Sequence, residues 1–108
     1  MTALEYLSVQ IEQVRRRFEA QLGEASLCEV TKDGRVTDGL KYAEGRLVAL
    51  CNLERRLRAE EAHEAALAAE TAYWRALYER HAAMAWRAYA QGGWDACAEC
   101  LNALLTSS

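Results

Sequence analysis

The chain has no proline in its 108 residues, and between Arg46 and Gln91 it has no glycine either. Proline and glycine are the residues that most strongly interrupt helices, so this stretch favours helical structure throughout. Alanine, leucine, glutamate and arginine dominate the composition, and all four are good helix formers. We therefore predict an all-α fold, a bundle of three to four helices that forms one domain over residues 1–108. Its core is modest, and a dimer would enlarge it.

Local signals mark the ends of the first two predicted helices. Thr2 and Glu5 form a T-x-x-E capping box, which predicts a helix that starts at the third residue. An apolar stripe with spacings of three and four follows, and Gly23 is a natural C-terminal stop. Thr37 or Asp38 can cap the second helix.

Two segments lack this helical pattern. Residues 24–36 break the period around an Asp-Gly turn signal, so we expect a loop or a short β-ribbon that is a candidate binding surface. Residues 58–64 lack large apolar side chains. That gap suits a solvent-exposed bend or the middle of one long central helix, and the bend is favoured because it buries more apolar area.

The glycine pair Gly92-Gly93 predicts an interruption between a third helix and a short last helix. Helical spacing then predicts the side chains that face the core. For the third helix these are Trp74, Leu77, Tyr78, His81, Met84, Ala85 and Ala88, and for the last helix Trp94, Cys97, Ala98, Leu101, Leu104 and Leu105.

A short motif occurs twice in the chain. The sequence YAEGRLVAL at residues 42–50 returns, loosened, as YAQGGWDAC at residues 89–97, an offset of 89 minus 42, or 47 residues. Each copy is a tyrosine, a glycine three residues later and an amphipathic run. The repeat predicts two related helical units packed against each other, with glycine allowing another backbone to approach closely.

The segment YAEGRLVALCNLERRL, residues 42–57, resembles the Y-x-x-G-x-L-x-A-L helices of small accessory proteins from phages and other mobile elements. Anti-CRISPR proteins are one group of such proteins, and they often act by occupying a host complex. The resemblance covers about a sixth of the chain. It implies binding rather than catalysis, and it transfers no functional residue.

Cysteine usage leaves a metal or redox function as an alternative. Cys97 and Cys100 form a C-x-x-C pair, a spacing used by zinc sites and thiol redox centres. A zinc site needs two more ligands, and neither the other cysteines nor the two histidines have paired spacing. We expect Cys51 and Cys97 to pack in the core and the protein to use no cofactor, with a zinc or thiol-redox role of Cys97 and Cys100 as the alternative.

The net charge argues against phosphate binding, and the residue types present argue against catalysis. The formal net charge is −3, and the arginine clusters at residues 15–17 and 55–58 fan around their helices. A solvated face is therefore favoured over a nucleic-acid surface, which remains the second functional hypothesis. The three aspartates and the lack of a glycine-rich phosphate loop give no nucleophile–base set, so we expect a protein that is not an enzyme.

Apolar and arginine side chains off the core stripes suggest a surface for a protein partner or a second copy. The candidate residues are Tyr6, Val9, Arg16 and Arg17, predicted together on the outer face of the first helix, and Trp86 on the third. Tyrosine, tryptophan and arginine are enriched at interface hot spots. The N-terminus lacks a signal peptide and no apolar run approaches a membrane span, so a cytoplasmic protein without a membrane partner is expected.

Overall fold

The computed structural model describes residues 1–22, 38–81 and 83–105. They form four helices: α1 (Ala3–Leu22), α2 (Asp38–Arg58), α3 (His63–Arg80) and α4 (Met84–Leu105). The predicted all-α bundle is confirmed. The predicted loop or ribbon at residues 24–36, with Cys28, lies outside the described residues. Within those residues, no helix combines the length and apolar character of a membrane span.

The first helix begins as its capping box predicts. The Glu5 backbone N–H donates to Thr2 Oγ1 at 3.1 Å, and the Thr2 N–H donates to Glu5 Oε1 at 3.5 Å. Leu7, Ile11 and Val14 are buried, so the helix turns the predicted stripe to the core.

The bend between α2 and α3 is a tight reversal, so residues 46–91 are not one long helix. Glu60 has φ 65°, the left-handed conformation that glycine usually supplies. The Glu61 N–H donates to the Arg56 carbonyl and the Glu60 N–H to the Leu57 carbonyl, each at 3.1 Å. This is a Schellman motif, which satisfies two of the carbonyl groups left open at the end of α2.

The break between α3 and α4 was predicted at the wrong place. α3 ends at Arg80, His81 is extended, and α4 then runs without interruption through Gly92 and Gly93. The Arg87 side chain donates from Nε to the His81 carbonyl at 2.7 Å, which stabilises the reversal. Both glycines are buried, and tertiary packing offsets their weak helix propensity.

The shifted break also corrects the predicted inner faces. Met84 is 72 % exposed, Leu101 is 45 % exposed and Ala98 is exposed, although all three were predicted to face the core. Cys100 is buried in their place.

α3 runs antiparallel to both α2 and α4, so α2 and α4 are parallel neighbours. Arg56 of α2 pairs with Glu70 of α3, and Trp74 of α3 lies against Gly93 of α4. α2 packs most extensively against α4, while α1 packs mainly against α2. The core formed between them contains Leu7, Ile11, Val14, Ala49, Leu50, Leu53, Leu67, Trp74, Leu77, Ala90, Ala96, Cys97 and Cys100.

Candidate functional site

The repeated Tyr-x-x-Gly motif forms the crossing between α2 and α4. A Cβ atom on Gly45 would overlap the Tyr89 carbonyl oxygen, and one on Gly92 would overlap the Tyr42 carbonyl oxygen. The glycine of each copy therefore receives the backbone of the other copy's tyrosine, which confirms the predicted packing of two related units. The Tyr42 hydroxyl also donates to Asp95 Oδ2 at 2.6 Å across the crossing. The glycines of both copies are buried, and the contact between the copies is structural.

A chain of aromatic rings leads from this crossing to the surface. The Tyr89 ring lies 5.1 Å from that of the fully buried Trp74, centroid to centroid, and 5.7 Å from that of Trp86. Trp86 stacks on His81 at 5.6 Å with an interplanar angle of 24°. Tyr73 meets the other side of Trp74 edge-on at 5.3 Å. We call these five residues the aromatic cluster.

The outer part of the aromatic cluster is open to solvent. Trp86 is 46 % exposed, and Met84, at the start of the same helix, is 72 % exposed. Lys41 places its Nζ 5.2 Å from the centroid of the Trp86 ring, which is within cation–π range. Glu44 holds the Lys41 ammonium at 3.1 Å. Trp86 is thus held by neighbours from α2, α4 and the α3–α4 turn while much of its ring stays accessible.

The Tyr89 side chain, which lies between Trp74 and Trp86, is half-buried. Burial, followed by the nearby Glu44 carboxylate, raises the pKa of the Tyr89 phenol above its usual value. The phenol is therefore neutral at physiological pH, and Lys41 is the cation next to the exposed indole.

The predicted site residues lie on two helices, α1 and α4. Val9 is 42 % exposed on α1, and Arg16 is exposed but paired with Glu12 at 3.0 Å. Tyr6 is half-buried against the core, so its predicted place on the outer face is wrong. Burial, followed by Cys100 and Glu99, raises the pKa of its phenol.

Arg17 is exposed on α1. It lines a groove with Val14 on α1 and with Tyr42 and Arg46 on α2. Trp86 starts α4 rather than belonging to the third helix, and its ring contacts are with His81 and Tyr89.

Most arginines of the two clusters form ion pairs with nearby glutamates. Arg15 lies 3.6 Å from Glu12, which also binds Arg16, and Arg58 lies 3.7 Å from Glu54. These short-range pairs lower the positive charge that either cluster presents to a phosphate backbone.

Sequence reasoning missed a buried carboxylate, Glu70, which is 3 % exposed. It accepts hydrogen bonds from Arg56 Nε at 2.9 Å, the Trp74 indole N–H at 3.0 Å and Asn52 Nδ2 at 3.4 Å. Asn52 and Arg56 line an adjoining cleft of about 500 Å³. The only sequence signal was the position of Glu70 four residues before Trp74, in line with the buried face of α3.

The C-x-x-C cysteines are both in the core. Cys97 and Cys100 are free and buried on α4, and Cys51 is half-buried on α2. Burial raises the pKa of the Cys97 and Cys100 thiols to about 12, so both are protonated at neutral pH. A thiolate nucleophile or zinc ligand needs the opposite shift. Within residues 1–22, 38–81 and 83–105, no group of three or more histidine, cysteine, aspartate or glutamate side chains could hold a metal ion.

Comparison with protein-family models, with curated proteins and with solved structures gives no match for this chain. Its function is therefore inferred from its own residues, of which the exposed end of the aromatic cluster has the clearest binding chemistry.

Proposed function

We propose that this chain is a non-catalytic, cytoplasmic protein that acts by binding another protein through the exposed end of its aromatic cluster. The surface comprises Trp86 with His81, Met84 and Lys41. The observation that carries the proposal is the state of Trp86, which is fixed by ring contacts on both sides and yet is 46 % exposed.

A fixed, half-exposed tryptophan is suited to protein recognition. Its ring loses little conformational entropy on binding because packing already orients it, so more of the burial energy appears as affinity. A tryptophan side chain can bury 150–250 Å², so covering the open half of Trp86 removes roughly 100 Å² from water. At about 25 cal/mol per Å² this contributes about 2.5 kcal/mol, or roughly sixtyfold in Kd.

The chemistry around Trp86 indicates what the partner presents. Met84 adds an adaptable apolar side chain. Lys41 adds one positive charge, already shared with Glu44. A mainly apolar protein surface with a polar rim fits this arrangement better than a phosphate backbone does. The resemblance of residues 42–57 to phage accessory helices supports a more specific role, namely inhibition of a host nucleic-acid complex by occupying one of its protein subunits.

The experiment starts with the tagged chain in its native host and identification of the protein that co-purifies. Calorimetry with the purified partner then compares the parent chain with Trp86→Ala. We expect Trp86→Ala to weaken binding by roughly sixtyfold, from the burial estimate above. The variant also loses the ring contacts with His81 and Tyr89, so its melting temperature should fall, and binding is compared well below that temperature. Val9→Ala on α1 is the matched control, because it also removes exposed apolar area.

The same measurements separate the alternatives. If Val9→Ala rather than Trp86→Ala abolishes binding, the working surface is the outer face of α1 and the proposal fails. If the co-purifying partner is a nucleic acid whose affinity falls steeply with salt, the arginine clusters are the site instead.

A further inference from the structure

A cleft lies between α2 and α3, beside the buried Glu70 carboxylate and against the reversal that joins the two helices. Its volume is about 500 Å³, within the range of about 300–1,000 Å³ that small-molecule sites occupy. Its other lining residues are Asn52, Arg55, Arg56, Ala59, Glu61 and Tyr73. None of the four residues proposed above for a protein partner lines it. The cleft is therefore a separate candidate site for a small ligand.

One positive charge in the cleft has no acidic partner among the described residues. Arg55 is exposed and takes part in no ion pair within that part of the chain. Its Nη2 donates to Asn52 Oδ1, a neutral acceptor, at 2.9 Å. The Asn52 amide is held in turn, because its Nδ2 donates to Glu70 at 3.4 Å. Asn52 orients the Arg55 guanidinium without neutralising it, so Arg55 is a positioned donor for a carboxylate.

A negative charge is in excess towards the reversal. Arg56 donates from Nε to Glu70 Oε1 at 2.9 Å and from Nη1 to Glu61 Oε2 at 3.3 Å. One guanidinium is thus shared by two carboxylates. Glu70 is buried, whereas the Glu61 side chain is 40 % exposed. The C-terminal end of α2 adds its own negative partial charge at this end of the cleft. The Glu61 carboxylate is therefore placed to accept a cation.

The cleft also has an apolar part. The Tyr73 side chain is 49 % exposed, and Ala59 is exposed as well. Arg55 and Ala59 are four residues apart on α2, which corresponds to about 6 Å along the helix axis. A methylene chain of about that length, with a charged group at each end, matches the positions of Arg55 and of the reversal.

We propose that the cleft binds a small zwitterion, with a carboxylate for Arg55 and an ammonium group for Glu61, joined by a short methylene chain. The lining carries two arginines and two glutamates, so a ligand without net charge fits it better than an anion or a cation does. The buried Glu70 holds both ends of the site in place, one through Asn52 and the other through Arg56. Apolar side chains of similar volume would stabilise the fold as well as this buried pair does, which favours a binding role for it.

Titration of the ¹⁵N-labelled chain with 5-aminopentanoate, followed by NMR, tests the proposal. The Trp74 indole N–H donates to Glu70 at 3.0 Å, so its resonance reports on the cleft. Pentanoate and pentylamine are matched probes, because each keeps the carbon chain and only one of the two charges. We expect saturable shifts with a Kd on the order of 1 mM for 5-aminopentanoate. Each single-charge probe should bind roughly tenfold more weakly, since it loses one charge-assisted hydrogen bond. A single-charge probe that binds as tightly, or no saturable shift with any probe, would overturn the proposal.

Two substitutions then locate the ends of the ligand. Arg55→Gln should remove the advantage of 5-aminopentanoate over pentylamine, and Glu61→Gln should remove its advantage over pentanoate. Arg58→Gln and Glu64→Gln make the same changes at exposed positions outside the cleft and should leave the affinity unchanged. Equal losses in the variants and their controls, or no loss in Arg55→Gln, contradict the assignment. Trp86→Ala should bind 5-aminopentanoate normally, so failure of this inference and failure of the proposed function are distinguishable.

Discussion

Adding one methyl group at the crossing of α2 and α4 tests the architecture directly. In Gly45→Ala the new Cβ would lie 2.8 Å from the Tyr89 carbonyl carbon and overlap its oxygen. In Gly92→Ala the new Cβ would lie 2.8 Å from the Tyr42 carbonyl carbon. Both obstacles are backbone atoms of helices, which cannot move aside as a flexible side chain can.

The expected cost follows from these distances. Carbon atoms pack best at about 3.5–4.0 Å, so the two helices must separate by about 1 Å. Overpacking of this kind typically costs 1–3 kcal/mol, and backbone obstacles favour the upper end. Alanine returns about 1 kcal/mol as the better helix former. The net loss is about 2 kcal/mol for either variant, or a fall in melting temperature of about 10 °C.

Thermal and urea denaturation of both single variants and the double variant measure this cost. The first substitution already opens the gap, so the second should cost about 1 kcal/mol less than it does alone. Gly39→Ala is the control, because Gly39 is an exposed glycine near the start of α2. Gly39→Ala keeps the gain in helix propensity without the obstacle, so it should leave the melting temperature the same or higher. If Gly45→Ala does the same, or if the two costs simply add, the close crossing is refuted.

Three further predictions concern stability. Glu60→Gly should raise the free energy of unfolding by about 1 kcal/mol in thermal denaturation, because φ is 65° there and glycine adopts this left-handed conformation without a steric penalty. A lower melting temperature would contradict the left-handed turn. Glu70→Ala should cost about 3 kcal/mol in urea because the Trp74 indole N–H loses its acceptor, whereas a cost below 1 kcal/mol would place the carboxylate in solvent. The contribution of the Cys97 and Cys100 thiols to the free energy of unfolding should be fully present below pH 9. Between pH 9 and pH 12 it should fall by about 1.4 kcal/mol per pH unit for each thiol, because the unfolded chain releases these protons at lower pH than the folded protein does. Cys100→Ala should make this fall with pH less steep.

The sequence by itself determined the helices whose signals act within a few residues. The Thr2–Glu5 capping box works through two hydrogen bonds inside one turn, so it fixes the start of α1 whatever the rest of the chain does. The lack of large apolar side chains at residues 58–64 also identified the reversal after α2. The repeated Tyr-x-x-Gly predicted a close backbone contact, because glycine at matching places in two helices is hard to explain otherwise.

Only the tertiary structure decided where α3 ends and which side chains pack between neighbouring helices. The segment from His81 to Ala83 has no helix-breaking residue, while Gly92-Gly93 does have the breaking signal and is helical. Tyr6 was assigned to solvent from the periodicity of α1 alone, yet it packs beside residues of α2 and α4. The physical reason is the same in each case: local propensities differ by about 1 kcal/mol per residue, and packing several helices around one core outweighs that difference.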